Sequence, residues 1–180
     1  MQRKSFIGLR GLLLATLVGF TSTSVWAETV VNVVHAGTLS SLLKETDPEL
    51  KVTGSINGSD AKYLRNLVVD GKVTSLDLSE ARIVSGGVAY YENYKTENDV
   101  LGERMFVDCE KLRYVVLPPS VTAIGSNAFA RSGLKKIDIP NSVSRLGGDA
   151  FAYCGSLDTV IIGSRVTRLD QGVFYSSSVK

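Results

Sequence analysis

The chain has 180 residues, with 20 Lys+Arg against 18 Asp+Glu, two cysteines and one histidine. That length holds one domain or two small ones, and 21% charged with 44% hydrophobic residues are globular proportions that exclude wholesale disorder. The near-neutral charge excludes the basic footprint of a nucleic-acid binder, and two cysteines exclude a disulfide-dense scaffold or a four-ligand structural zinc site.

Residues 1–27 read as an export signal. Arg3, Lys4 and Arg10 form a basic start, residues 11–20 (GLLLATLVGF) an apolar run, and residues 21–27 (TSTSVWA) a small, polar exit with Val25 and Ala27 before the cut. Ten apolar residues are too few to span a bilayer, which takes about 20, so no stable membrane span is expected after cleavage. No cysteine follows the run to carry a lipid. Cleavage after Ala27 removes three cations and Trp26, the only tryptophan, and turns the formal +2 into −1. A secreted or cell-surface location follows.

Residues 28–72 are expected to form a small α+β N-terminal cap. The β-branched stretch 29–35 (TVVNVVH) predicts a strand. Residues 38–44 predict a short helix, and residues 59–69 a second one, with Ser59 or Asp60 as its N-cap.

Residues 73–100 are expected to be a first, degenerate rung plus an insertion. Val73-Thr-Ser-Leu76-Asp-Leu78 has the pattern of Leu112-x-x-Val115-x-Leu117, but the two lie 16 residues further apart than one period of the repeat below. The extra residues fall mainly within 85–100 and carry Tyr90, Tyr91 and Tyr94. These three are a candidate recognition loop, since tyrosine suits contact surfaces. Ahead of it stands the reading that these rings pack back on the cap and first rung.

Residues 101–180 repeat every 22–23 residues. The phenylalanines after the leader are Phe106, Phe129, Phe151 and Phe174, at steps of 23, 22 and 23. Five further apolar columns keep the same register; one is Leu101, Ile124, Leu146 and Leu169, another Val121, Val143 and Val166. Aligned columns at a fixed period mean a solenoid, in which one unit cannot bury its own apolar face and stacked neighbours make the core. Each Leu-x-x-Ile-x-Leu segment predicts a short strand, followed by Pro118, Pro119 or Pro140, which cannot continue a ladder. The Ile-Gly-x-x-Ala-Phe segment predicts a helical turn with its Phe inside. The last unit, from Leu169, covers about half a period, so it reads as incomplete, with an open strand edge that invites self-association.

The pattern Ile124-Gly125…Ala128-Phe129…Leu134-x-x-Ile137-x-Ile139-Pro140…Val143 resembles the leucine-rich repeats of BspA-like bacterial surface proteins. The resemblance covers 101–180 and, weakly, 73–84. It departs from the general leucine-rich pattern, because Ser120, Ser142 and Arg165 stand where Asn or Cys would form a ladder. It implies an α/β leucine-rich-repeat solenoid, export, and adhesion to or recognition of extracellular or host proteins or glycans. It implies no catalytic residue and no cofactor.

The residues themselves agree with a non-enzymatic reading. His35 has no acid or second ligand type beside it, and no nucleophile elbow, metalloprotease helix or phosphate loop occurs. Cys109 and Cys154 occupy one repeat column with Ser132 and Ser177, two rungs apart. That places their Cα atoms about 10 Å apart, beyond the ~7 Å a disulfide tolerates, and predicts two free, buried thiols. The outward columns of the strands offer a candidate binding face at Arg113, Tyr114, Lys135, Lys136, Asp158 and Thr159. A structural stalk, or a fragment of a larger surface protein with no site of its own, is the competing reading.

Overall fold

The computed structural model describes residues 28–179; the export-signal reading of residues 1–27, Trp26 included, lies outside them. Thr29–Val33 (β1), Leu39–Leu42 (α1), Glu49–Ile56 (β2), Gly58–Val69 (α2) and Ser75–Ile83 (β3) alternate strand and helix. β1 pairs parallel with β2, and β2 with β3. Parallel neighbours need crossovers, and α1 and α2 lie in them. This corrects the α+β expectation for the first segment: its strands are parallel and interleaved with helices.

Two local differences have clear causes. α2 is capped by Asn57, not by Ser59 or Asp60. The Asn57 side chain accepts from the Ser59 N–H at 2.9 Å, and the Asp60 carboxylate reaches back to the Asn57 N–H at 2.9 Å. Asp60, fully buried, also accepts from the backbone N–H groups of Gly37 and Leu39, so it ties the loop after β1 to the start of α2. β2 was not anticipated, because Gly54 interrupts the alternation of Leu50, Val52 and Ile56. Gly54 has φ +85°, and a Cβ there would fall 2.3 Å from the Val33 carbonyl oxygen. Only glycine lets β1 approach that closely.

Next in the chain come Gly86–Tyr91 (β4) and Tyr94–Thr96 (β5), an antiparallel hairpin, and then the two-residue strand Val100–Leu101 (β6). The remaining strands alternate long and short: Tyr114–Val116 (β7), Ala123–Ile124 (β8), Lys136–Asp138 (β9), Arg145–Leu146 (β10), Thr159–Ile161 (β11) and Arg168–Leu169 (β12). The long strands extend the first sheet in the order β1-β2-β3-β7-β9-β11, and the short ones form a second sheet, β12-β10-β8-β6. Leu76 pairs with Val115, the register that their shared pattern requires. Tyr114 then pairs with Lys136, and Lys136 with Thr159. The result is an open, parallel, repeating coil.

A third hydrogen-bonded face closes each turn where a helical turn was expected. Around each of the first three phenylalanines, the residues two before and two after have left-handed φ: Arg104 and Asp108, Asn127 and Arg131, Asp149 and Tyr153. Two such residues in one stretch cannot belong to an α-helix. Instead, alternate N–H groups leave the turn for the next one. Arg104, Phe106 and Asp108 donate to the carbonyls of Ser126, Ala128 and Ala130 at 2.7–3.0 Å, and the two following turns repeat the arrangement.

Inside this frame the phenylalanines form a continuous column. Successive ring centroids lie 5.5, 5.4 and 5.5 Å apart, with planes within 14°. Gly125 shows how close the turns sit: a Cβ there would fall 2.5 Å from the Glu103 nitrogen. Among the described residues no helix is long and apolar enough to cross a membrane.

Candidate functional site

Alternation along the long strands decides which side chains leave the core. Val115 and Ile137 point inward and are buried, while Tyr114, Val116, Lys136, Asp138, Thr159 and Ile161 are exposed. The pairing sets Ser75, Tyr114, Lys136 and Thr159 in one row across four strands. Tyr114, Val116 and Ile161 are each about half exposed, a patch of apolar surface between charged neighbours. Lys135 extends its ammonium over the Tyr114 ring at 5.8 Å, and Lys136 pairs with Asp138 at 3.2 Å.

The face therefore gathers Tyr114, Lys135, Lys136 and Thr159, with Asp158 exposed at its margin. Arg113 is engaged elsewhere: its guanidinium donates to the Gly133 carbonyl at 3.2 Å. Arg113, Lys135 and Asp158 are also linked through their backbones, Lys135 N–H to the Arg113 carbonyl and Asp158 N–H to that of Lys135.

The tyrosines of the hairpin lie on a different part of the molecule and turn inward. Tyr90 is buried, and its hydroxyl donates to the Glu103 carbonyl at 2.7 Å; burial holds its ionisation far above the ordinary range. The Tyr91 ring lies under the Arg65 guanidinium at 4.3 Å. Tyr94 donates to the Glu103 carboxylate at 3.0 Å, and that bond raises its own pKa. All three pack against the segment that opens the first repeat or against α2.

Arg65 was not anticipated. It is buried in α2 with no carboxylate partner among the described residues, and donates to the carbonyls of Val107 and Met105, the latter at 3.5 Å, with the Cys109 sulfur at 3.6 Å. Only its place on a helix next to apolar neighbours hinted at burial.

A second surface also escaped sequence reasoning. On the turn face, Tyr153 and Tyr175 are 51% and 60% exposed and meet edge to face at 5.4 Å. They wall a cleft of about 680 Å³. The period could have found Tyr153, which shares with Asp108 and Arg131 the column two residues after the Phe; Tyr175 stands one residue after Phe174, in the column of Val107, Ala130 and Ala152.

Both cysteines are free and buried, as their shared column requires. Desolvation pushes the Cys109 thiol up to about 11 and raises Cys154 as well. Neither thiol is a nucleophile near neutral pH. His35 is exposed, and its own backbone carbonyl accepts from the Thr38 hydroxyl at 2.7 Å.

Residues 92–180 match, in six copies, the family described as BspA type leucine rich repeat region. The coil makes fewer turns than six over that stretch, so one copy of the family pattern is not one turn. No curated protein matches the chain. Among solved structures, a leucine rich cell surface protein from Faecalibacterium prausnitzii A2-165 is similar at 25% identity and a TM-score of 0.38, over 64% of this chain and 23% of its own. A leucine-rich repeat protein from Bacteroides ovatus ATCC 8483 is similar at 24% identity and a TM-score of 0.41, over 74% of this chain and 33% of its own. The chain spans 23% and 33% of the length of these two structures. With its repeat register, its phenylalanine column and the family match, the repeat region of this chain, residues 92–180, belongs to the BspA-type leucine-rich repeat family.

Proposed function

We propose that this protein is an exported, non-catalytic binding module that docks an extracellular protein or glycan on the strand face. The observation that carries this reading is the patch of Tyr114, Val116 and Ile161, half exposed on the sheet over two adjacent rows, among Lys135, Lys136, Asp138 and Thr159. An exposed tyrosine with aliphatic neighbours, ringed by charged side chains, has the arrangement of a contact surface, an apolar centre inside a polar rim. A broad, preformed sheet loses little freedom on binding, and its flatness suits a protein better than a small ligand. The cell-surface description of the Faecalibacterium protein and the basic-apolar-small start of the chain support export and surface display.

In the same reading the 22–23-residue step is the structural unit, residues 28–72 act as the N-terminal cap, and residues 73–100 add the first rung and its insertion. Glu103, Met105 and Val107 hold the positions that Ser126, Ala128 and Ala130 hold one turn later. Their carbonyls take side-chain donors from Tyr90 and Arg65 in place of a preceding turn.

The test is retention of residues 28–180 by immobilised host matrix proteins and by a glycan array, compared with the triple variant Tyr114→Ala, Lys136→Ala, Ile161→Ser. Binding that the wild type shows and the variant loses supports the strand face. A wild type that binds neither class of target overturns it and leaves the structural stalk as the better account.

A further inference from the structure

The turn face carries a feature that the strand-face reading does not use. Tyr153 and Tyr175 come from neighbouring turns and stand at 86° to each other, so the two rings make an open corner. Leaving two aromatic rings more than half exposed is unfavourable for a chain that could bury them. The cleft they wall is about 680 Å³, within the range of ligand sites. Arg131 and Tyr153 also wall a neighbouring cleft of about 510 Å³, so Tyr153 is a ridge between two recesses on one face.

The polar groups here narrow the ligand class. Asn127, Asp149 and Gln171 line the larger cleft. The backbone N–H groups of Asn127 and Asp149 are already spent on the ladder to Gly148 and Gln171, so their side chains are what the cleft presents. Amide and carboxylate groups both accept, and the amides and tyrosine hydroxyls also donate. A peptide that adds as a strand would need free backbone donors, and those of Asn127, Phe129 and Arg131, and of Asp149, Phe151 and Tyr153, are already paired with the following turn. An anion would need unopposed cations, whereas Arg131 is tied to Asp108 at 2.6 Å and the cleft also holds Asp149 and Asp170. A sugar presents an apolar C–H face to a ring and a rim of hydroxyls to planar polar groups, which is the combination found here.

We propose that the turn face is a second binding site, for an oligosaccharide that stacks on Tyr153 and Tyr175 and hydrogen-bonds to Asn127, Asp149 and Gln171. The shared Tyr153 ridge favours a ligand of several sugar units lying across both clefts over a single monosaccharide.

The test uses residues 28–180 and an array of neutral tri- to hexasaccharides built from glucose, galactose, mannose and N-acetylglucosamine. Three variants are compared: Tyr153→Ala with Tyr175→Ala, Asp149→Ala with Asn127→Ala, and Tyr114→Ala on the strand face. Because the substituted side chains project from the surface, melting curves matching wild type check that each variant folds. The site predicts that wild type retains at least one oligosaccharide. For that oligosaccharide, retention then falls 10-fold or more in both turn-face variants, and Tyr114→Ala lowers retention only of oligosaccharides that the strand face holds. Three results overturn it: no oligosaccharide retained by wild type, retention that survives loss of both tyrosines, or retention lost only in Tyr114→Ala. The last would instead assign saccharide binding to the strand face, so the two sites fail separately.

Discussion

The Tyr90 hydroxyl donates to the Glu103 carbonyl at 2.7 Å, and that carbonyl is the counterpart of Ser126, which one turn later accepts the Arg104 N–H at 3.0 Å. A side chain from the insertion thus takes the place of a backbone donor. Tyr90→Phe keeps the buried ring and removes only the donor. It should cost about 1 kcal/mol, the net worth of one hydrogen bond, since the Glu103 carbonyl is only part-buried. Urea unfolding of residues 28–180 would show this as a lower midpoint with an unchanged slope. A stability equal to wild type would mean that water serves Glu103 as well as tyrosine does.

Arg65 does the same for the next two carbonyls, those of Met105 and Val107. Its charge is buried without an acid partner among the described residues, where the carbonyl oxygens and the Tyr91 ring 4.3 Å away hold it. Arg65→Met should lose about 2–4 kcal/mol, combining two orphaned carbonyls with the lost ring contact. One guanidinium nitrogen serves both carbonyls while the planar group lies over the Tyr91 ring, so Arg65→Lys, which lacks that plane, should recover less than half of the loss. Full rescue by lysine would show that charge alone matters at this position.

Legibility divides along physical lines. Stacked apolar columns had to be in register to form a core, so the phenylalanine column and the pairing of Leu76 with Val115 could be read from spacing alone. β2 was hidden because Gly54 occupies an alternate position where an apolar side chain would have marked the strand. The turn ladder was hidden because it depends on left-handed φ at Asn127, Arg131 and their counterparts, residues whose side chains do not announce that conformation. Of the candidate site, the outward columns were predictable from a period of two. The engagement of Arg113 with Gly133, and of the hairpin tyrosines with Glu103 and Arg65, depends on tertiary neighbours that spacing does not reveal.

The two thiols should be silent until the coil opens. With the Cys109 pKa near 11, only about a thousandth of it is thiolate at pH 8. Cys154 is buried beside Ser132, whose hydroxyl lies 3.4 Å from its sulfur. Titration with a chromogenic disulfide reagent should release no signal from native protein over minutes and two equivalents in denaturant. Zero equivalents in denaturant would reveal a disulfide and break the column register. Two fast equivalents in native protein would show that the turns open readily.

Acid should destabilise the coil through carboxylates on its second sheet. The Arg145 guanidinium holds Asp170 below the usual carboxylate range, donating at 2.6 Å, with Arg168 at 2.8 Å. Arg82 does the same for Asp99 through two hydrogen bonds of 3.1 and 2.9 Å. A carboxylate with a depressed folded-state pKa stabilises the fold above its unfolded value, about 3.9, and that stabilisation is lost as pH falls through the folded value. The window therefore lies below about pH 4. Both pairs are exposed, so the effect is small and weakens with salt. Denaturation at pH 6 and pH 3 should show a smaller acid loss for Asp99→Asn with Asp170→Asn than for wild type. Equal losses would remove these pairs from the explanation.

The phenylalanine column should be sensitive to where it is cut. Phe129 is fully buried between the rings of Phe106 and Phe151, 5.5 and 5.4 Å away. Phe174 is only partly buried and has one ring neighbour, Phe151. Truncating a buried phenylalanine to alanine costs about 3–5 kcal/mol, because the loss of burial adds to the cavity left behind. Nearest-neighbour coupling along a solenoid makes an interior cut break contacts on both sides. Phe129→Ala should therefore fall in that range or leave the chain unfolded, and Phe174→Ala should cost less than half as much. If Phe129→Ala is insoluble, Phe129→Leu keeps most of the volume and still removes both ring contacts. Equal costs at the two positions would mean that the rings contribute through burial area alone and not through their place in the stack.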